Sequence, residues 1–283
     1  MWAIPKPAIS ARDTFDICIE GFRDAEKKAR LQGIRVQIEQ AEAQFDALAA
    51  ANQLHQVAGL NAVAGAAGAV AGKELEQLYD SHMARQKSRG RDTYDKIMMT
   101  AVHGQCPFCG HLPVSTLDHS LPKARHPALA VTPINLIPCC KDCNHNKGTA
   151  GPVSAETEFL HAYYDDLTGD RWLYAGIVQG SPPGATFHID APVAWNATTS
   201  ARAQRHFSRL KLAKLYASQA GRALQNIRKG LTAIYDAAGQ AAVSEDLLGR
   251  SESCADASLN SWESALYEAA SQSDWYCNGG FRA

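Results

Sequence analysis

Net charge is almost absent from this chain: 28 Lys and Arg against 29 Asp and Glu leave a formal −1. A molecule-wide positive field that would gather nucleic acid is therefore excluded, and any such surface has to be local. Long apolar runs are missing as well. The most apolar window, 57–72, is rich in Gly and Ala, contains Asn61, and is shorter than the roughly 18 residues that suggest a membrane span. It reads as a closely packed helix or a flexible connection, and no membrane is expected. The opening stretch, Met1-Trp2-Ala3-Ile4-Pro5-Lys6-Pro7, lacks the basic and apolar segments of a secretory signal, so a cytoplasmic protein is expected. Cysteine is sparse, eight in 283 residues, and unevenly spread. A disulfide framework, which belongs to small secreted chains, is disfavoured. Internal repeats and low-complexity tails are also lacking.

What remains is an ordinary globular composition, 46% apolar and 20% charged, long enough for one large domain or two modest ones. From 10 to 57 apolar residues recur at near-helical spacing (Phe15, Ile19, Phe22, Leu31, Ile34, Ile38, Phe45, Leu48), with Ser10 and Asp13 as an amino-terminal cap. Two more helices are expected over 73–86 and 92–103, and another over 156–167. Strands are expected over 171–178 and 185–190, around Ser181-Pro182-Pro183-Gly184. A long helix over 198–238 carries a buried stripe at steps of three and four, and a last one covers 260–270. Between 104 and 149 the texture changes, because prolines at 107, 113, 122, 127, 133 and 138 forbid long helices.

Five cysteines crowd into that stretch: Cys106, Cys109, Cys139, Cys140 and Cys143. Cys106-Pro-Phe-Cys109 and Cys140-Lys-Asp-Cys143 are two CxxC pairs, whose spacing lets both sulfurs of a pair turn toward one ion. Together they make a closed tetrahedral site for structural Zn²⁺. Cys139 could replace Cys140 if the register slipped; the two-residue spacing favours Cys140. Cys18, Cys254 and Cys277 read as buried small apolar side chains.

The 30 residues between the pairs hold a second signal: Leu117-Asp118-His119, then Asn135-Leu136-Ile137-Pro138, followed by Asn144-His145-Asn146-Lys147-Gly148 after the last cysteine. This arrangement resembles the HNH (ββα-metal) endonucleases, over about one sixth of the chain. The resemblance implies that His119 is the general base, able to take a proton from water because a neutral imidazole titrates near physiological pH. It implies that Asp118 and Asn144 are ligands of a catalytic divalent ion, and that Asn135 orients the base-bearing loop. An Asn rather than a His at 144 departs from the commoner pattern and suggests an oxygen site for Mg²⁺ or Mn²⁺; His145 and Asn146 beside it could compete for the role. Lys123, Arg125, His126 and Lys147 could hold phosphates.

Eight Lys/Arg and no Asp/Glu lie between 199 and 230, and Lys211, Arg222 and Lys229 are spaced close to whole turns, on one face. That face could track a nucleic-acid backbone. Residues 236–274 hold eight acids and one Arg, so the two segments could instead neutralise each other.

The expected fold is mainly α (α+β), with helical regions at 1–103 and 151–283, the latter with a short β-hairpin, around a small ββα-metal module at 104–150. The expected activity is phosphodiester hydrolysis in nucleic acid, DNA before RNA. The wider pattern looks like bacterial HNH proteins encoded beside ATPases in phage-defence systems, which implies an antiviral role and an ATPase partner. The rival reading is a zinc-dependent subunit that binds nucleic acid or a partner without catalysis. Such a module would not require Asp118, His119 and Asn144 together.

Overall fold

The structure, a computed structural model, describes residues 2–283, which form two compact units, 2–166 and 167–283. The boundary between them falls at 166/167, and the stretch 104–150 belongs to the same unit as the helices before it.

In the first unit the helical reading of 10–57 resolves into three helices: α1 (Ala11–Ile19), α2 (Ala25–Gln32) and α3 (Arg35–Ala50). Ser10 caps α1, its hydroxyl accepting from the Asp13 N–H at 3.0 Å, and Asp24 caps α2 through the Lys27 N–H. The Asp24 cap marks the first break in the apolar pattern by satisfying a free N–H at a new start, whereas α3 begins without a side-chain cap. The Gly/Ala-rich window is not helical, and most of its residues are exposed. It forms a minimal hairpin, β1 (Ala62–Val63) on β2 (Val70–Ala71). A Cβ at Gly65 would lie 2.5 Å from Ile34 Cγ2, so only glycine fits there. Helix α4 (Gly72–Leu78) follows, then a single π-helical turn, Tyr79–Met83, and α5 (Arg91–Met98).

The cysteine-rich stretch contributes β3 (Thr116–His119), β4 (Leu136–Cys139) and α6 (Lys141–Lys147). The strands pair antiparallel with Asp118 opposite Ile137 and His119 opposite Leu136. Their apolar residues do not form a core alone. Leu117, Leu136, Ala128, Ala130 and Val131 share one buried cluster with Phe15, Ile19, Leu31, Ile38, Leu75 and Leu78 of the helices. A second cluster joins Phe45 and Ala49 of α3 to Leu121, Leu129 and Ile134. A ββα motif of this size buries too little to be stable by itself, and the amino-terminal helices supply the missing surface.

The segment 156–167, expected as helix, has only a 3₁₀ turn at Ala155–Thr157. A side chain competes with the helical backbone bonds here: the Asp165 carboxylate accepts the His161 N–H at 2.6 Å. Glu158 is drawn away from the segment, accepting from the backbone N–H of His55.

In the second unit β5 (Leu173–Val178) and β6 (Gly184–Ile189) form the expected hairpin. The long helix is broken twice. Helix α7 (Ala197–Arg209) ends before Lys211, which adopts a left-handed conformation (φ 57°), and α8 (Leu212–Ala257) kinks at Gly239 (φ 74°). Helix α9 (Trp262–Ser271) packs on α8 and on β5, and a short α10 (Asp274–Cys277) follows. Asn260 ties the layers, accepting from the Trp172 N–H at 2.9 Å and donating to the Asp170 carbonyl at 2.7 Å. No helix among the described residues is long and apolar enough to cross a membrane.

Candidate metal centre and active-site cleft

The four-cysteine centre is assembled from two tight turns. After Cys106 the chain reverses so that the Gly110 N–H reaches the Cys106 carbonyl at 2.7 Å, a turn that requires the positive φ of Gly110. The Leu112 N–H then points at the Cys109 sulfur at 3.4 Å. Cys140 is the N-cap of α6, its sulfur accepting the Cys143 N–H at 3.4 Å. All four sulfurs are buried and lie within 4.8 Å of one another. Zn–S bonds of about 2.3 Å put tetrahedral sulfurs about 3.8 Å apart, so this set fits Zn²⁺ after a small contraction. Cys139 stands outside it. Its sulfur is 3.9 Å from that of Cys106 but is directed to the Cys140 carbonyl, and it is a fifth buried thiol. The Cys140 thiol accepts S–H bonds, from Cys106 first, and is pulled below the usual thiol range.

Beside this centre lies a cleft of about 390 Å³, and Asp118, His119, Asn144, Lys123, Glu76 and Tyr79 all face it. Strand β3 ends on Asp118 and His119, and α6 brings Asn144 from the other side. His145 and Asn146 are not among the cleft residues, so of the three neighbouring candidates only Asn144 shares the cleft with Asp118.

His119 is held on two sides. Its Nε2 lies 2.8 Å from the Ala130 carbonyl, and the Tyr79 ring meets the imidazole edge to face at 4.5 Å. A carbonyl can only accept, so Nε2 carries the proton and Nδ1 keeps its lone pair. Burial, opposed by that hydrogen bond, draws the imidazole pKa down to about 3, so the ring is neutral at physiological pH. Asn135 is fully buried and spans the loop that follows. Its Oδ1 accepts the Leu121 N–H at 2.8 Å, and its Nδ2 donates to the Leu121 and Leu129 carbonyls at 3.1 Å each. It closes the loop 120–135 and does not line the cleft. Asp118 is also buried, which raises its pKa, with Lys147 acting in the opposite direction.

The side chains expected to hold phosphates separate. Lys123 reaches the cleft, over the Tyr79 ring and paired with Asp80. Arg125 is exposed on the adjoining loop but outside the cleft lining, and His126 is buried. Lys147 does not project to solvent: it is 4% exposed, with its ammonium on Asp118 and on the His119 carbonyl. In the second unit Arg222 and Lys229 are exposed on α8, while Lys211 sits at the left-handed break and leaves the helical face. Lys214 takes its place in an exposed row, Lys214, Ser218, Arg222 and Lys229. None of Lys211, Arg222 and Lys229 forms an ion pair among the described residues. The acids of 236–274 pair elsewhere, Asp246 with Arg250, Glu268 with Arg171 and Asp236 with Arg282. The mutual neutralisation allowed by composition is therefore not what these three basic residues do.

Sequence reading missed Glu76 and Tyr79. Both lie some forty residues before the motif, and nothing in their spacing marks them. The π-helical turn starting at Tyr79 is the structural sign that this part of the helix departs from plain packing.

Fold and site together define a mainly helical protein with four buried cysteines positioned to hold one metal ion. The chain is 30% identical over 237 residues to protein ea31 of Escherichia phage lambda, a match covering 80% of this chain and 79% of that protein. It belongs to the family of that phage protein. No family model and no solved structure matches it.

Proposed function

We propose that the protein is a metal-dependent endonuclease of the HNH type that hydrolyses phosphodiester bonds in DNA. The observation that carries this reading is the convergence of three groups on one cleft. They are the imidazole of His119, whose Nε2 is bound to the Ala130 carbonyl, and the oxygen-bearing side chains of Asp118 and Asn144, framed by an antiparallel hairpin and a short helix. The donor set fits Mg²⁺ or Mn²⁺: Asp118 and Asn144 offer hard oxygens and leave other positions open. A divalent ion held by them would neutralise charge on the phosphate and on the departing oxygen.

The remaining chemistry is done by the chain itself. His119 Nδ1 takes the proton of the attacking water as the new O–P bond forms and the bond to the leaving oxygen breaks. Burial disfavours the imidazolium, and the negative charge of the arriving phosphate offsets that cost, so the base becomes effective when substrate is present. The Ala130 carbonyl fixes the tautomer and Asn135 holds the loop that carries it. Lys123, at the cleft, is placed to bind a phosphate. The exposed row on α8 supports backbone binding without sequence preference. The resemblance to nucleases of phage defence suggests an ATPase partner.

The test is cleavage of plasmid DNA against Mg²⁺ and Mn²⁺ concentration, with and without a candidate ATPase. His119→Ala should lose about 10²–10⁴-fold in rate and stay low at high metal. Asp118→Ala and Asn144→Ala should be partly restored by more metal. A fully active His119→Ala protein refutes the assignment; wild-type protein that binds DNA and never cuts it supports the rival binding-subunit reading.

A further inference from the structure

The surroundings of Lys147 are those of a cation site. Three oxygens converge on its ammonium: Asp118 Oδ1 at 3.3 Å, Asp118 Oδ2 at 3.1 Å and the His119 carbonyl at 2.7 Å. Both partners of the ion pair are almost fully buried, at 4% and 3% exposure. Lys147 is the last residue of α6, and Gly148 after it has a positive φ that ends the helix. The ammonium therefore holds the carboxylate that a divalent ion in the cleft would need.

We infer that Lys147 is an internal counter-cation that competes with the divalent ion for Asp118, and so sets how tightly the cleft binds metal. The inference rests on the nuclease reading. Its physical basis is that a buried carboxylate stripped of its partner is costly, and an arriving ion recovers that cost as binding energy. With Lys147 in place the ion has to displace the ammonium or share the carboxylate with it at close range, against strong repulsion. Weak metal binding in the resting protein follows, with the site kept assembled. Once displaced, the ammonium is free to meet the phosphate that arrives with the metal.

The experiment is Mn²⁺ titration of the zinc-loaded full chain at pH 8, followed by electron paramagnetic resonance of free Mn²⁺. Wild type is compared with Lys147→Met, Lys147→Gln, Lys147→Arg and Asp118→Asn. The second neutral variant keeps a donor for the His119 carbonyl, in case the first does not fold. Both neutral variants should bind Mn²⁺ at least about tenfold more tightly than wild type, and Lys147→Arg should stay close to wild type. Added Mn²⁺ should raise the melting temperature of the neutral variants more than that of wild type. Asp118→Asn should abolish the site. If the neutral variants bind no more tightly than wild type at a site that Asp118→Asn removes, Lys147 supports the metal and the inference is overturned. If no variant shows a Mn²⁺ site that depends on Asp118, the nuclease reading itself fails and takes this inference with it.

Discussion

Replacing Asn135 by Ala tests how the loop between the strands is held, independently of any activity. The side chain is wholly buried and makes three hydrogen bonds, to the Leu121 N–H and to the Leu121 and Leu129 carbonyls. A buried hydrogen bond contributes about 1 kcal/mol net, and an orphaned N–H or carbonyl costs more. The substitution should therefore lower the opening free energy of the loop 120–135 by about 3 kcal/mol. Asn135→Asp should be no milder. It keeps an acceptor for the Leu121 N–H but turns an oxygen toward two carbonyls that need donors. Peptide-resolved hydrogen exchange on zinc-loaded protein reads the effect where it arises. Peptides over 117–137 should lose protection in both variants, and peptides of α8 and α9 should not. A loss below about 1 kcal/mol over 117–137 would refute the reasoning, because three buried bonds cannot be that cheap to remove.

Two further outcomes are expected. Purified protein should carry one Zn²⁺ per chain by metal analysis; Cys106→Ser or Cys143→Ser should release it and destabilise the first unit, while Cys139→Ser keeps it. Reversing Lys214, Arg222 and Lys229 to Glu should weaken DNA binding and flatten its salt dependence, by about 0.9 in log–log slope for each phosphate that is no longer neutralised. An unchanged slope in a folded variant would remove α8 from the nucleic-acid surface.

Local chemistry was legible in the sequence wherever one residue type dominates its own geometry. The CxxC spacing located the four-cysteine cluster, including Cys140 over Cys139, because only two intervening residues bring both sulfurs of a pair to one point. The β5–β6 hairpin was legible from alternation around a Pro/Gly turn. Long helices were harder. The stripe over 198–238 is real, but its period does not register a left-handed residue at Lys211 or a kink at Gly239, since each shifts the chain without changing which residues are apolar. The segment 156–167 has helical composition and is not helical; within it the Asp165 carboxylate takes the His161 N–H. Which segments share a core was not legible either. Pattern shows where apolar residues lie along the chain, but not that Leu117 and Leu136 share a core with Phe15 and Leu75.

The placement of α6 links the two candidate metal sites more closely than their chemistry requires. Cys140 caps the helix, Cys143 lies on its first turn, Asn144 follows directly, and Lys147 ends it on Asp118 and the His119 carbonyl. Seven residues make fewer than two turns, too few for a helix to be stable alone. Its orientation therefore depends on what fixes its ends, the cysteine cluster at one and the buried Lys147 contact at the other. Releasing the cysteine end leaves the contact to Asp118 as the main restraint on Asn144. Zinc removal should then disturb the cleft even though no cysteine lines it, and the two oxygen-bearing side chains, Asp118 on the hairpin and Asn144 on the helix, should lose their common register. On this argument the four-cysteine centre sets the distance between the two halves of the second site, so the chain keeps both in one short stretch, 106–147.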